Sequence, residues 1–183
     1  MASTLKVNTI ESASGTNIAV PTGKTLTAAD AAAIRAPGMV IQTVFDAYDT
    51  QTSTNSSTFT DVGIEATITP KSASNKILCH VHVNGVYKDG SNISGIGIKF
   101  LRTPSGGSAT EVARLANRAA GDNGSGSAAV QSIGTVSGCI LDSPNTTSAV
   151  TYKCQFNAAS NAGTAYVQVY TVESTLVLQE IAQ

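Results

Sequence analysis

Short segments in which apolar and polar residues alternate fill the chain from Met39 to its end. Alternation with a period of two is typical of strands that bury one face, and turn residues separate the segments at short intervals. The predicted strands are MVIQTVFDAY, TFTDVGIEATITP, KILCHVHVNGVY, ISGIGIKFLR, TEVARLA, AAVQSIGTVSGCILD, AVTYKCQFNA, TAYVQVY and STLVLQEIA. TEVARLA also suits a short helix, but its flanking turns favour a strand. The pattern predicts an all-β fold, an antiparallel jelly-roll-like β-sandwich of about nine strands.

The segment KILCHVHVNGVY is the most regular of these strands. Its alternation predicts that Cys79, Val81 and Val83 point into the core, while His80 and His82 share the outer face. Two imidazoles on one face are able to chelate a metal, and three copies around a threefold axis would bring six nitrogens together. Surface or interface histidines without a metal are the simpler interpretation, so we expect no metal site.

The first 26 residues form a polar arm with few large apolar side chains. Such a segment cannot build a core of its own, so another surface has to order it. The arm is therefore predicted to dock through its branched aliphatic residues, namely Leu5, Val7, Ile10, Ile18, Val20 and Leu26. Thr27 and Asp30 then suit the capping positions of a short connector helix that stops at Pro37. The predicted units are an attachment and trimerisation arm over 1–37 and a body over 38–183.

Two polar loops are the candidates for recognition of a ligand, one at 49–57 and the other, rich in glycine, at 117–127. Long polar loops on a rigid scaffold are common binding sites. Asp122 and Asn123 lie within the second loop. Tyr48 and Tyr87 are the aromatic residues that are available to stack on a sugar.

The composition of the chain excludes several classes of partner. Charged residues make up 13% of the chain, and the net charge is −1. The charged fraction is about half the usual share in soluble domains. The small net charge favours neither nucleic acid nor an anionic membrane as a partner. No apolar run is long enough to span a membrane. A surface of low charge suits extensive protein contact, because buried charges are costly in an interface.

Catalytic and cofactor motifs are not evident in the sequence. PTGKT lacks the earlier glycine of a phosphate-binding loop, and no nucleophile elbow of the form GxSxG is present. We therefore expect neither catalysis nor a cofactor. The three cysteines, Cys79, Cys139 and Cys154, form no CxxC pair, which favours buried free thiols made in a reducing cytoplasm.

The opening STLKVNTIESASGTNIAVPTGKTL resembles the entry stretch of fibre-like virion proteins of tailed bacteriophages, notably marine phages. GMVIQTV, ITPKSASNKILCHVHV, LDSPNTTSAVTYKCQF and STLVLQEIA resemble the β-sandwich module that ends such fibres. The resemblance implies a homotrimeric virion protein, assembled in the host cytoplasm, whose arm docks it to other capsid or tail proteins. Because no long shaft separates arm and body, it favours a capsid or tail decoration protein or a short fibre. The alternative is the tip module of a tail fibre that binds a host surface receptor.

Overall fold

The computed structural model describes residues 22–25, 35–89, 94–122, 133–159 and 163–183. The chain divides into two compact units, Met1–Ile34 and Arg35–Gln183, and the second is described below. The six aliphatic residues of the predicted arm, and the connector helix apart from Arg35, lie outside the described residues. No helix in the described part of the chain has the length and hydropathy that a membrane crossing requires.

The body is built from strands. Ten strands lie within the described residues, at Val40–Tyr48 (β1), Thr52–Thr54 (β2), Thr60–Ile68 (β3), Lys76–Asp89 (β4), Ser94–Pro104 (β5), Thr110–Asp122 (β6), Gly134–Asp142 (β7), Val150–Ala158 (β8), Thr164–Val167 (β9) and Ser174–Ile181 (β10). A single 3₁₀ turn at Val169–Thr171 separates β9 from β10. Every pairing between these strands is antiparallel, as the alternation predicts.

The strands form two sheets in the order of a jelly roll. In the first sheet β1 and β2 pair with β10 and β9, which in turn pair with the two ends of β4, and β7 pairs with the other side of β4. β1 with β2, and β9 with β10, thus act as two interrupted long strands. The second sheet runs β3–β8–β5–β6. When each interrupted strand is counted as one, both sheets have four strands. Their order and connections confirm the predicted jelly-roll-like sandwich.

The core lies between the two sheets. Along β3, β4, β8 and β10 the buried residues alternate with more exposed ones, because successive strand side chains point to opposite faces. Phe100 and Tyr152 stack at its centre, with ring centroids 5.7 Å apart. Cys79, Val81 and Val83 are fully buried while His80 and His82 are not, which confirms the predicted orientation of β4.

A buried carboxylate closes one end of the sandwich. Glu180 is inaccessible to solvent, and its Oε1 accepts hydrogen bonds from the Lys71 amide at 2.7 Å and from Asn75 Nδ2 at 2.6 Å. Gln42 Nε2 donates to Oε2 at 2.5 Å. Burial raises the pKa of Glu180, but these bonds and one from the Ser72 amide outweigh it and leave the pKa below the usual value. The network ties β1 and the β3–β4 connection to β10.

A second polar cluster joins the two sheets. Asp142 of β7 accepts hydrogen bonds from Arg102 Nη1 of β5, at 2.9 and 3.0 Å, and from the Tyr152 hydroxyl of β8, at 2.7 Å. Burial and the bond to Asp142 raise the pKa of Tyr152. The phenol therefore stays protonated and serves as a donor.

Two loop predictions need correction. The predicted loop 49–57 contains β2, which pairs with β9, because its threonines satisfy their backbone groups on a neighbouring strand. The predicted loop 117–127 begins as strand, since β6 continues to Asp122, which pairs with Ser94 of β5. Glycine and small residues were interpreted as a loop signal, but here they extend a strand that a partner holds in register.

Candidate functional site

The large apolar side chains that stay exposed all belong to the first sheet or to segments adjoining its strands. Phe45 is 61% exposed, Leu141 55% and Tyr170 76%. The complete set in the described residues is Met39, Val40, Phe45, Ile133, Leu141, Tyr170 and Val172. None lies on β3, β5, β6 or β8. An antiparallel sheet with one solvated face normally carries polar residues there, so this distribution makes the first sheet the candidate contact surface.

The strand register places two of these residues, Phe45 and Leu141, in adjacent rows across the sheet. One row, from β1 to β7, is Phe45, Val177, His80 and Cys139; the next is Thr43, Gln179, Leu78 and Leu141. An apolar strip therefore crosses all four strands, through Phe45, Val177, Leu78 and Leu141. We call the eight residues of these two rows the apolar face.

Formal charge is nearly absent around the apolar face. Outward positions alternate with buried ones on β10 and the Lys76–Asn84 part of β4, and the strand register assigns the outward positions of β1 and β7. Lys76, beside Ile181 of β10, is the one Lys, Arg, Asp or Glu among those described positions. A surface without charges loses little when it is taken out of water.

The second sheet differs, because its outer side carries ion pairs. Lys153 Nζ lies 2.8 Å from Asp61, and Arg114 lies 2.7 Å from Glu111. Burial raises the pKa of the Asp61 carboxyl, but the bonds from Lys153 and Gln155 outweigh it and hold that pKa below its usual value. Hydrogen bonding to Arg114 likewise lowers the pKa of Glu111. The outer side of the second sheet thus carries ion pairs, whereas Lys76 is the one formal charge among the described outward positions around the apolar face; Asp89, at the far end of β4, also points outward from the first sheet.

His80 and His82 lie on the outer face of β4, as predicted. His80 pairs with Cys139 and His82 with Ser137 across β4 and β7. Within the described residues, no group of three or more His, Cys, Asp or Glu side chains is placed to hold a metal ion. The alternative of a metal on a trimer axis requires three copies, so it stays a hypothesis that one chain does not test.

The structure places the predicted recognition residues on different elements. Tyr48 packs against the core and lies over Gly63, where any β-carbon would clash with its ring. Tyr87 stacks on Tyr166, with ring centroids 5.5 Å apart. Asp122 belongs to β6 of the second sheet, whereas both tyrosines belong to the first, and Asn123 lies outside the described residues. Asp122 is therefore a strand residue and not part of a loop.

Tyr170 is an exposed aromatic residue that the sequence pattern did not single out. It lies in the β9–β10 turn, residues 168–173, where Gln168, Tyr170 and Thr171 have φ angles of 55°, 61° and 56°. Positive φ is unusual for residues other than glycine and costs on the order of 1 kcal/mol each. Gly85 allows the turn to approach, because a β-carbon there would clash with the Val169 amide. The sequence TAYVQVY was predicted as one continuous strand, and nothing in its residue types signals the break.

Cys139 corrects the prediction of three buried thiols. Cys79 and Cys154 are buried, and Cys139 is exposed on β7. Burial raises the pKa of both buried thiols. β7 shows apolar residues on both sides, because Val136 and Ile140 pack against the core while Cys139 and Leu141 point outward. An apolar neighbourhood in sequence therefore did not imply burial.

Comparisons with known proteins identify no family. No protein-family model matches the sequence, and no curated protein matches it. Solved structures of infectious bursal disease virus are similar to the chain at low levels. The Gx strain structure has a TM-score of 0.38 and 12% identity over 76% of this chain and 32% of that chain. The VP2 subviral particle has a TM-score of 0.38 and 11% identity over 86% of this chain and 38% of that chain. The Gt strain structure has a TM-score of 0.34 and 11% identity over 87% of this chain and 41% of that chain. The chain spans less than half of each of these chains, and at such values the likeness assigns no function.

Proposed function

We propose that the protein is a virion structural component, a homotrimeric decoration protein of the capsid or tail or a short fibre, docked to the particle through its N-terminal arm. The observation that carries this proposal is that the exposed apolar side chains of the described residues lie on or beside one sheet of a jelly roll, around a region whose described outward positions carry one formal charge, Lys76. Such a face is built for contact with protein, because it offers dispersion contacts and burial without desolvated charges. The resemblance of the arm and the body to phage fibre-like proteins supplies the particle as the setting.

The chemistry of the described residues is consistent with a structural role. Asp142 is bonded to Arg102 and Tyr152, and Glu180 to amide donors, so these buried acids hold the sandwich together. A carboxylate that already accepts several hydrogen bonds has little capacity left to act as a base. We accordingly propose no enzymatic activity.

A second candidate function is binding to a host surface receptor. Tyr170 favours it, because an exposed tyrosine on a strained turn is a typical anchor residue in a protein contact. Under this alternative Tyr170→Ala would weaken adsorption to host cells at least about tenfold while particle composition stays unchanged. Unchanged adsorption would exclude Tyr170 as the anchor of a receptor contact.

The arm proposal is tested by deleting residues 1–26 in the gene and purifying the particles. We expect the shortened chain to accumulate in soluble form in the lysate and to be missing from the particles. The matched control is the full-length Asn117→Asp variant, which adds a charge at an exposed position of β6 and should be incorporated normally. Incorporation of the shortened chain at the wild-type level would refute docking through the arm.

A further inference from the structure

We infer that the apolar face of the first sheet is the contact between copies of this chain, so that its occupant is the same face of a neighbouring copy. The inference rests on the proposed self-association and names the surface through which the copies meet; in a trimer, each copy would turn this face toward the threefold axis, against both neighbours. Its residues are the two rows defined above, centred on the strip of Phe45, Val177, Leu78 and Leu141.

The outer side of the four strands, which includes the apolar face, is large enough for such a contact. Four strands about 4.8 Å apart, with about eight residues each at a rise of ~3.3 Å, make a side of roughly 500 Å². Each copy would therefore bury roughly 500 Å² against its neighbours, which is near the lower limit for a specific interface. Phe45 is 61% exposed and Leu141 55%, so covering them removes much apolar surface from water.

The charge of the face favours a second copy over other occupants. Surfaces that select a different protein usually carry charges complementary to that partner, and the described outward positions offer only Lys76. Anionic lipid would require clustered basic residues. A neutral apolar face can meet a copy of itself, since no like charges are brought together.

The test is the mass of the full chain in solution. Wild type is compared with the double variant Phe45→Asp, Leu141→Asp by sedimentation velocity from nanomolar to micromolar concentrations. Both side chains are largely exposed, so the fold of one copy should persist, as circular dichroism would show. The variant buries two carboxylates per copy in the contact and should raise the dissociation constant at least about a hundredfold. The control, Asn117→Asp on the charged sheet, should leave the mass unchanged.

Cys139 gives a second readout of the same contact. It lies in the first row of the apolar face, so association should protect its thiol, and the double variant should be alkylated at least about tenfold faster than wild type and the control. If the variant associates as wild type does, or if Cys139 reacts equally in all three proteins, the inference is wrong.

The outcomes separate this inference from the proposed function. An unchanged mass together with loss of the double variant from particles would assign the face to another virion protein and overturn the inference alone. A wild-type dimer that the variant disrupts would support the face as the contact and refute the trimer. Association through this face in a chain that purified particles do not contain would refute the virion role and leave the inference standing.

Discussion

The clearest energetic test of the fold is the substitution Glu180→Gln. The carboxylate is fully buried, and its two oxygens accept bonds from the Lys71 amide, Asn75 Nδ2 and Gln42 Nε2. Glutamine keeps the size of the side chain but replaces one accepting oxygen with a donating amino group. With its oxygen toward Lys71 and Asn75, its amino group faces the donor of Gln42, so that bond is lost and the other two lose the charge.

The expected cost is about 2–4 kcal/mol in the free energy of unfolding at pH 7. A hydrogen bond to a charged group contributes about 1.5–3 kcal/mol, and a buried donor without a partner costs about 1–3 kcal/mol. Gln42 cannot simply turn around, because its Nε2 also donates to the Thr69 carbonyl at 2.8 Å. Urea unfolding should show the midpoint lowered by roughly 1 M. Variants are compared at equal concentration, since association also stabilises the folded chain.

The pH dependence of the free energy of unfolding tests whether the Glu180 carboxylate stabilises the fold in its charged form. The pKa of Glu180 is lowered in the folded chain, so its contribution to stability is fully present above the unfolded pKa of about 4.3 and is lost as the pH falls through the folded pKa. The difference between wild type and Glu180→Gln should therefore shrink below about pH 4. The control is Glu65→Gln at an exposed position of β3, which should change stability by less than about 0.5 kcal/mol. A Glu180→Gln variant as stable as wild type at pH 7, or a difference independent of pH, would refute the reasoning.

Three further predictions concern other parts of the body. Tyr152→Phe removes the bond to Asp142 and should lower the free energy of unfolding by about 1 kcal/mol in urea; no change would mean that this bond contributes nothing net. Gly85→Ala should destabilise more than Gly106→Ala by at least about 1 kcal/mol in thermal unfolding, because both have positive φ but only the first meets backbone; equal losses would contradict the packing of the β9–β10 turn. In the double variant Cys139 should react with a thiol reagent while the two buried cysteines react only after unfolding, as peptide mapping would show.

The alternation of β4 was predictable, because each residue on it obeys one rule. Cys79 and Val81 are buried and His80 and His82 point outward, since a core lies on one side of the strand only. The same rule predicted most strands and, through their number and spacing, the sandwich. The order of the strands required the pairings themselves, because no local residue type determines which strands become neighbours.

The apolar face was not predicted, although its signal lies in the sequence. Phe45, Leu78, Leu141 and Val177 occupy outward positions on strands that also bury apolar residues. A strand that is apolar on both sides reads as a buried strand, and only the register brings the four outward residues together. Comparing odd and even positions within each strand would have shown an outward apolar residue on each of the four strands, but not that the four are neighbours.

The tyrosines show where residue type misleads. Tyr48 and Tyr87 were proposed as aromatic residues that could stack on a sugar, but one packs over Gly63 and the other stacks on Tyr166. Tyr170 is 76% exposed, the largest value in the set of exposed apolar residues. It lies in a turn with three positive φ angles that packs against Gly85, and no local motif indicates such a turn.

The central claim is that this chain is a trimeric part of a virion, and a reconstruction of purified particles by electron cryomicroscopy tests it most directly. The account predicts copies of the jelly roll in threes at each attachment point, with the apolar faces of neighbouring copies in contact and the charged sheets toward solvent. Particles in which the chain is missing, or in which single copies stand with Phe45 and Leu141 in water, would contradict it.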